Sequence, residues 1–150
     1  MAADLVTTLS ESVTLNGSVR GSSNSVTTTG INDVFERIVS CYHSNTTTVA
    51  AFAASPHTSS GAIDQDRTKY IRVTNLSTTE NIEVAFVGSA TLYQVKITPG
   101  NSHILSEGDE ILLAEADTTP SFGTMEALGS IQVRPVGTAD VRVEIFVGLV

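Results

Sequence analysis

The groups in this chain that could bind a metal or move a proton are three histidines, one cysteine and sixteen carboxylates. His43, His57 and His103 are scattered, with no HxH or HxxxH spacing. Cys41 and His43 stand two apart, and on a strand that spacing puts both on one face. Two ligands still fall short of the four-coordinate site that zinc takes. The acidic clusters Asp64-x-Asp66, Glu107-x-Asp109-Glu110 and Glu115-x-Asp117 offer oxygens of the kind calcium binds, but none has the loop pattern with its fixed Gly and closing Glu. They read as solvated turn carboxylates. Gly17 to Ser23 has the glycines of a phosphate-cradling loop, yet it lacks the Lys and leads into no helix. No serine sits in a G-x-S-x-G turn. Arg67, Lys69 and Arg72 form the densest positive spot, and Asp64 and Asp66 beside them suggest local pairing. The expectation is a non-enzymatic protein: no catalytic residue, no metal ligand and no cofactor site is assigned, and binding residues stay unassigned.

The totals narrow the partners. A formal net charge of −8 opposes nucleic-acid binding, which needs a basic footprint. No run approaches the ~20 apolar residues that span a bilayer as a helix, so no membrane partner is expected. Cys41 is the sole cysteine, which leaves no intrachain disulfide and reads as a small core residue. The start, Met1-Ala2-Ala3-Asp4, lacks the cationic and apolar regions of a signal peptide, so synthesis and retention in a reducing cytosol until assembly are expected. The sequons at Asn16, Asn45 and Asn75 then read as chance matches in a Ser/Thr-rich chain. Without Trp, and with aromatics at 5%, any core must be aliphatic.

The elements that must position any functional surface read as strands. Residues 69–75, 80–87, 92–97, 130–136 and 141–150 alternate apolar and polar side chains. Turns at 75–81, Gly88-Ser89, Pro99-Gly100-Asn101 and Gly137 to Asp140 separate them, near the repeat of about 8–12 residues typical of a sandwich or barrel. At the N-terminal end Leu5, Leu9, Val13 and Leu15 share one parity, while Thr8, Ser10, Ser12 and Thr14 share the other. That is a strand with one apolar face, ending at the hairpin signal Asn16-Gly17. Gly21 to Gly30 is either an exposed edge strand or a loop lying on a neighbour.

Two readings compete over Ile31 to Tyr42. One is a helix capped by Asn32; the favoured one is a strand through Arg37 to Tyr42, with Thr46 to Ala54 as its hairpin partner across Ser44-Asn45. Ser55 to Gln65 reads as a long irregular surface stretch, and Thr118 to Gly129 as a loop or short helical turn. In the last segment Val141, Val143, Ile145, Val147 and Leu149 line one face, while Phe146 and Val150 add apolar groups to the other. Such a strand belongs inside a sheet or against another subunit, which predicts a homo-oligomer or docking onto a larger body. The fold expected is all-β: an antiparallel β-sandwich, jelly-roll-like, in a single domain over 1–150, with 1–30 less regular and extended as a hairpin or arm.

The run Lys69-Tyr70-Ile71-Arg72-Val73-Thr74-Asn75-Leu76, then Val95-Lys96-Ile97-Thr98-Pro99-Gly100 and the closing V-x-V-x-I-F-V strand, resembles small β-sandwich virion proteins of tailed bacteriophages. The likeness is to those that decorate or cement the head, and it extends to Leu15-Asn16-Gly17 and Gly30 to Phe35. The resemblance implies a sandwich placed in many copies on the capsid surface, often as trimers, bound at junctions of the major capsid protein and made in the host cytoplasm. In such a role the poorly self-buried segment Gly21 to Gly30 is expected to order itself on the shell as an arm. Two other classes remain open, a carbohydrate- or receptor-binding sandwich module and a tail or neck component of the virion. The first wants exposed aromatics, and most of the Tyr and Phe here sit in strand patterns suited to a core.

Overall fold

The structure, a computed structural model, describes residues 1–55, 61–114, 119–120 and 122–150. The strands are β1 (Ala3–Ser10), β2 (Val13–Leu15), β3 (Ser18–Arg20), β4 (Ser23–Ile31), β5 (Asp33–Cys41), β6 (Thr47–Ala53), β7 (Ile63–Asp64), β8 (Thr68–Asn75), β9 (Ile82–Val87), β10 (Leu92–Ile97), β11 (Ser102–Leu105), β12 (Ser130–Pro135) and β13 (Val141–Leu149). No helix occurs among the described residues. Of residues 31–42, ambiguous in sequence, Asp33–Cys41 form strand β5 and Ile31 ends β4. Of the irregular stretch 55–65, positions 56–60 lie outside the described residues, as do 115–118 and 121.

Two sheets make the body, in the orders β10-β9-β12-β6-β7 and β11-β8-β13-β5. All their pairings are antiparallel except the short β6–β7 contact. The sheets pack face to face as a β-sandwich because their inward positions alternate with period two. Ile82, Val84 and Phe86 on β9 and Ile131 and Val133 on β12 meet Ile71 and Val73 on β8 and Val141, Val143, Ile145 and Val147 on β13. The core is aliphatic, with Phe86 its largest fully buried side chain.

The C-terminal strand lies between β8 and β5, paired on both sides, so its apolar character is satisfied within one chain. On its outer face Phe146 meets Tyr70 edge to face, with ring centroids 5.9 Å apart. The need for cover inferred from this strand is therefore met without a second subunit. A second difference concerns β6. It does not hairpin with β5; it crosses to the other sheet and pairs with β12, while β5 pairs with β13. Ser44, at φ 66, makes the turn between them. That turn is a corner of the sandwich.

Asn75 ties the sheets together at one end. Fully buried, it donates from Nδ2 to the carbonyls of Glu80 and Ile97 and accepts at Oδ1 from the Ser77 amide. It belongs to β8, whereas Ile97 closes β10 of the opposite sheet. Both hydrogens of its amide nitrogen are thus engaged within the fold.

Candidate functional site: the N-terminal hairpin

The groups examined for chemistry do not converge. His43 lies beyond the end of β5, so it does not share a strand face with Cys41. Its Nδ1 meets the Asp140 carboxylate at 2.7 Å. The His43 amide also donates to Asp140, and chiefly through that bond the carboxyl is held below its ordinary range. Cys41 is buried, and desolvation pushes its thiol upward, away from thiolate reactivity. His103 packs against Phe86 of the facing sheet at 4.9 Å between centroids, and burial lowers its pKa. His57, Glu115 and Asp117 lie outside the described residues. Among the described residues no group of three or more His, Cys, Asp or Glu is placed to hold a metal.

The basic spot is paired, but not with its sequence neighbours. Lys69 meets Glu107 at 3.2 Å and Arg72 meets Glu144 on the adjacent strand. Arg67 reaches the chain end, as described below. Glu126 grips the turn after β9. Its carboxylate accepts from the Ser89 hydroxyl and from the Ala90 and Thr91 amides, which depress its pKa to about 2. An open groove of about 710 Å³ beside β10 is lined by Leu92, Tyr93, Leu112, Phe122 and Met125 among others, and among the described residues Tyr93 is its one ionisable lining group.

What stands out is the hairpin from Ala3 to Ile31. The alternation read at Leu5 to Leu15 and the Asn16-Gly17 signal produce one ribbon in which Leu5 pairs with Thr28, Ser10 with Ser23, Val13 with Arg20 and Leu15 with Ser18. Each of these pairs keeps the same register, and the Glu11 amide donates to the Ser22 carbonyl at 2.9 Å where β1 gives way to β2. Asn16 and Gly17 carry the two positive φ angles, 51 and 79, that a type I′ turn requires. Gly17 to Ser23 is thus part of a strand ladder and not an anion loop. Gly21 to Gly30 is paired with β1 within the chain, so its order does not wait for a shell.

The ribbon has two unlike faces. Leu5, Leu9, Val13 and Leu15 point the same way as Val26, which pairs with Thr7 between Leu5 and Leu9. The other face is largely hydroxyl, including a 2.8 Å bond between Thr8 and Ser25, with Val6 and Val19 as its apolar exceptions. Leu9, Val13, Leu15 and Val26 are 56–63% exposed. A lone two-stranded ribbon is marginal in water, and a chain of exposed aliphatic side chains along it is a contact surface without its contact.

The root of the ribbon is fixed. Ile31 is buried, and both Ile31 and Leu5 approach Gly148 so closely that a Cβ there would sit 3.3 Å from each. The Asn32 amide donates to the Leu149 carbonyl at 2.9 Å. Arg67 donates to the Asn32 side chain and, from Nε, to the Val150 carbonyl at 2.7 Å. Arg67 therefore links the junction of β4 and β5 to the last strand.

Comparison with known proteins finds no matching family, no matching curated protein and no matching solved structure. The ribbon and its root must carry the functional reading on geometry alone.

Proposed function

We propose that this chain is a structural component of a bacteriophage virion, a non-enzymatic protein that decorates or cements the capsid at subunit junctions. The observation that supports this reading is the projecting ribbon, anchored at its root and carrying an apolar face that the chain itself leaves uncovered beyond Leu5. Such an element suits assembly, where exposed apolar surface is stored for a contact made later. The sandwich body suits the same role: it is held by aliphatic packing, with no disulfide to form. Its jelly-roll character and its oligomeric state, with a trimer favoured, belong to this reading.

A cement protein acts by adding contact area across seams in a shell under outward force. Many weak contacts on one lattice give long residence, because each bound copy raises the effective concentration of the next contact. The acidic body limits non-specific association through like-charge repulsion. Localised apolar contact must then supply the affinity.

The test is to locate the chain on particles. Antibody against the purified chain should label the heads of phage particles made in cells that express it. Heads stripped of it by mild denaturant should rupture at lower temperature, and adding the chain back should restore them. Labelling confined to tails would move the role to the tail or neck. Recovery of the chain apart from every particle would refute the virion reading.

A further inference from the structure

We infer that the apolar face of the ribbon is covered by the same face of a second copy of this chain, so that the unit placed on the shell is a two-fold dimer joined through its N-terminal hairpins, in place of the trimer that the resemblance favours. This deepens the reading above, and rests on it only in treating the chain as an assembly protein.

Charge points to a second copy as the occupant. The chain carries −8, yet residues 3–31 carry only −1 of it, from Asp4, Glu11 and Arg20. The apolar face itself holds one acid, Glu11, and one base, Arg20, and so is neutral. Two of these chains can therefore meet through their ribbons at the lowest electrostatic cost, while their acidic bodies stay apart. The neutral face is also compatible with itself: in an isologous contact each copy presents an acid and a base to the other. The opposite face, rich in Ser and Thr, gains little from leaving water.

Size is consistent with this. From Leu5 to Leu15 the ribbon runs ten residue steps, or roughly 34 Å at ~3.4 Å per step. Covering one face of a ribbon about 10 Å wide removes roughly 400–500 Å² per copy, near the ~1,000 Å² total that marks the lower end of specific interfaces. Association of this size is reversible in free solution and is reinforced once the bodies are fixed on a common lattice. The clamped root matters here too. Because Ile31, Asn32 and Arg67 hold the ribbon at a set angle, pairing of ribbons also sets the spacing of the bodies.

The experiment is sedimentation equilibrium of the full chain at about 10–100 µM, comparing Leu9→Lys with Thr8→Lys. The two positions are adjacent in sequence and lie on opposite faces of one strand, so each adds the same charge at the same distance from the root. The wild type should approach a mass of twice 15.8 kDa as concentration rises. Leu9→Lys should raise the dissociation constant by about tenfold or more, and Thr8→Lys should change it by less than about threefold. A wild type that stays monomeric at the highest concentration overturns the inference, as does equal behaviour of the two variants.

A second measurement guards against a ribbon that simply fails to form in Leu9→Lys. Oxidised Val13→Cys should run as a linked dimer on a non-reducing gel, since Cys41 is buried and unable to compete. A linked fraction no larger than that of a Thr8→Cys control on the opposite face overturns the proposal independently. None of these measurements involves a shell. A monomer that still labels phage heads sinks this inference alone, and an oligomer found on no particle sinks only the virion reading.

Discussion

Replacing Asn75 with Ala removes a side chain that makes three hydrogen bonds, one to Ile97 of the opposite sheet and two to the loop between β8 and β9. Its Nδ2 reaches the Glu80 carbonyl at 2.8 Å and the Ile97 carbonyl at 3.0 Å, and its Oδ1 receives the Ser77 amide at 2.9 Å. The residue is fully buried, so these bonds face no competition from water in the native state. Each contributes about 1 kcal/mol net, and losing all three should cost about 3 kcal/mol. For a domain of this size that lowers the melting temperature by about 6–12 °C. Urea unfolding followed by far-UV circular dichroism measures the loss, with the m-value expected to stay at its wild-type level. Asn75→Asp should lose at least as much, because it keeps the acceptor but removes both donors and buries a carboxylate. A loss below about 1 kcal/mol for Asn75→Ala, at unchanged m, would show that the loop at this end is held by other contacts and that the clamp argument is wrong.

Other expectations follow from the same packing. Phe86→Ala empties the largest fully buried side chain and should cost about 3–5 kcal/mol in urea unfolding. The Glu126 carboxyl is depressed from 4.5 to about 2, so its stabilising effect is complete above pH 4.5 and is lost as pH falls toward 2. The stability difference between wild type and Glu126→Gln should therefore shrink over that interval in acid titrations, and no shrinkage would discredit the turn contact. Deleting residues 1–30 should cost less than about 2 kcal/mol in thermal unfolding, since Leu5 is the main side chain this segment rests on the body.

Much of the body was legible because one face of each strand is buried. Residues 69–75, 92–97 and 141–149 alternate so regularly that no other assignment fits, and the structure places strands there. Asn16-Gly17 disclosed the ribbon's turn for a local reason: two adjacent positive φ angles suit few other pairs. The chemistry of Cys41 and His43 was harder to judge, since sharing a face depended on the strand reaching His43, and it stops at Cys41. The crossing of β6 to the second sheet was also hidden. A turn at Ser44 serves a hairpin or a corner equally well, and only the partners β12 and β13, far along the chain, decide between them. Strand β11 was overlooked because its inward position holds His103 while Ile104 points outward, the reverse of the usual pattern. That His was placed inside by the ring of Phe86 on the opposite sheet, a neighbour no local window contains. The apolar face of the ribbon was visible as parity. Its exposure was not, because parity alone does not say whether a strand has a second layer to pack on.

The register of the ribbon, constant from Leu5 to the turn, limits how it can change in length. Side chains alternate faces with each residue, so a single insertion in one strand, between Thr8 and Leu9 for instance, would turn the residues on one side of it to the wrong face or force a bulge. Length can be gained or lost cleanly only by two residues in each strand together, four per hairpin. The reach of this element is therefore quantised in steps of about 7 Å, and any lattice it serves would have to match one of those steps.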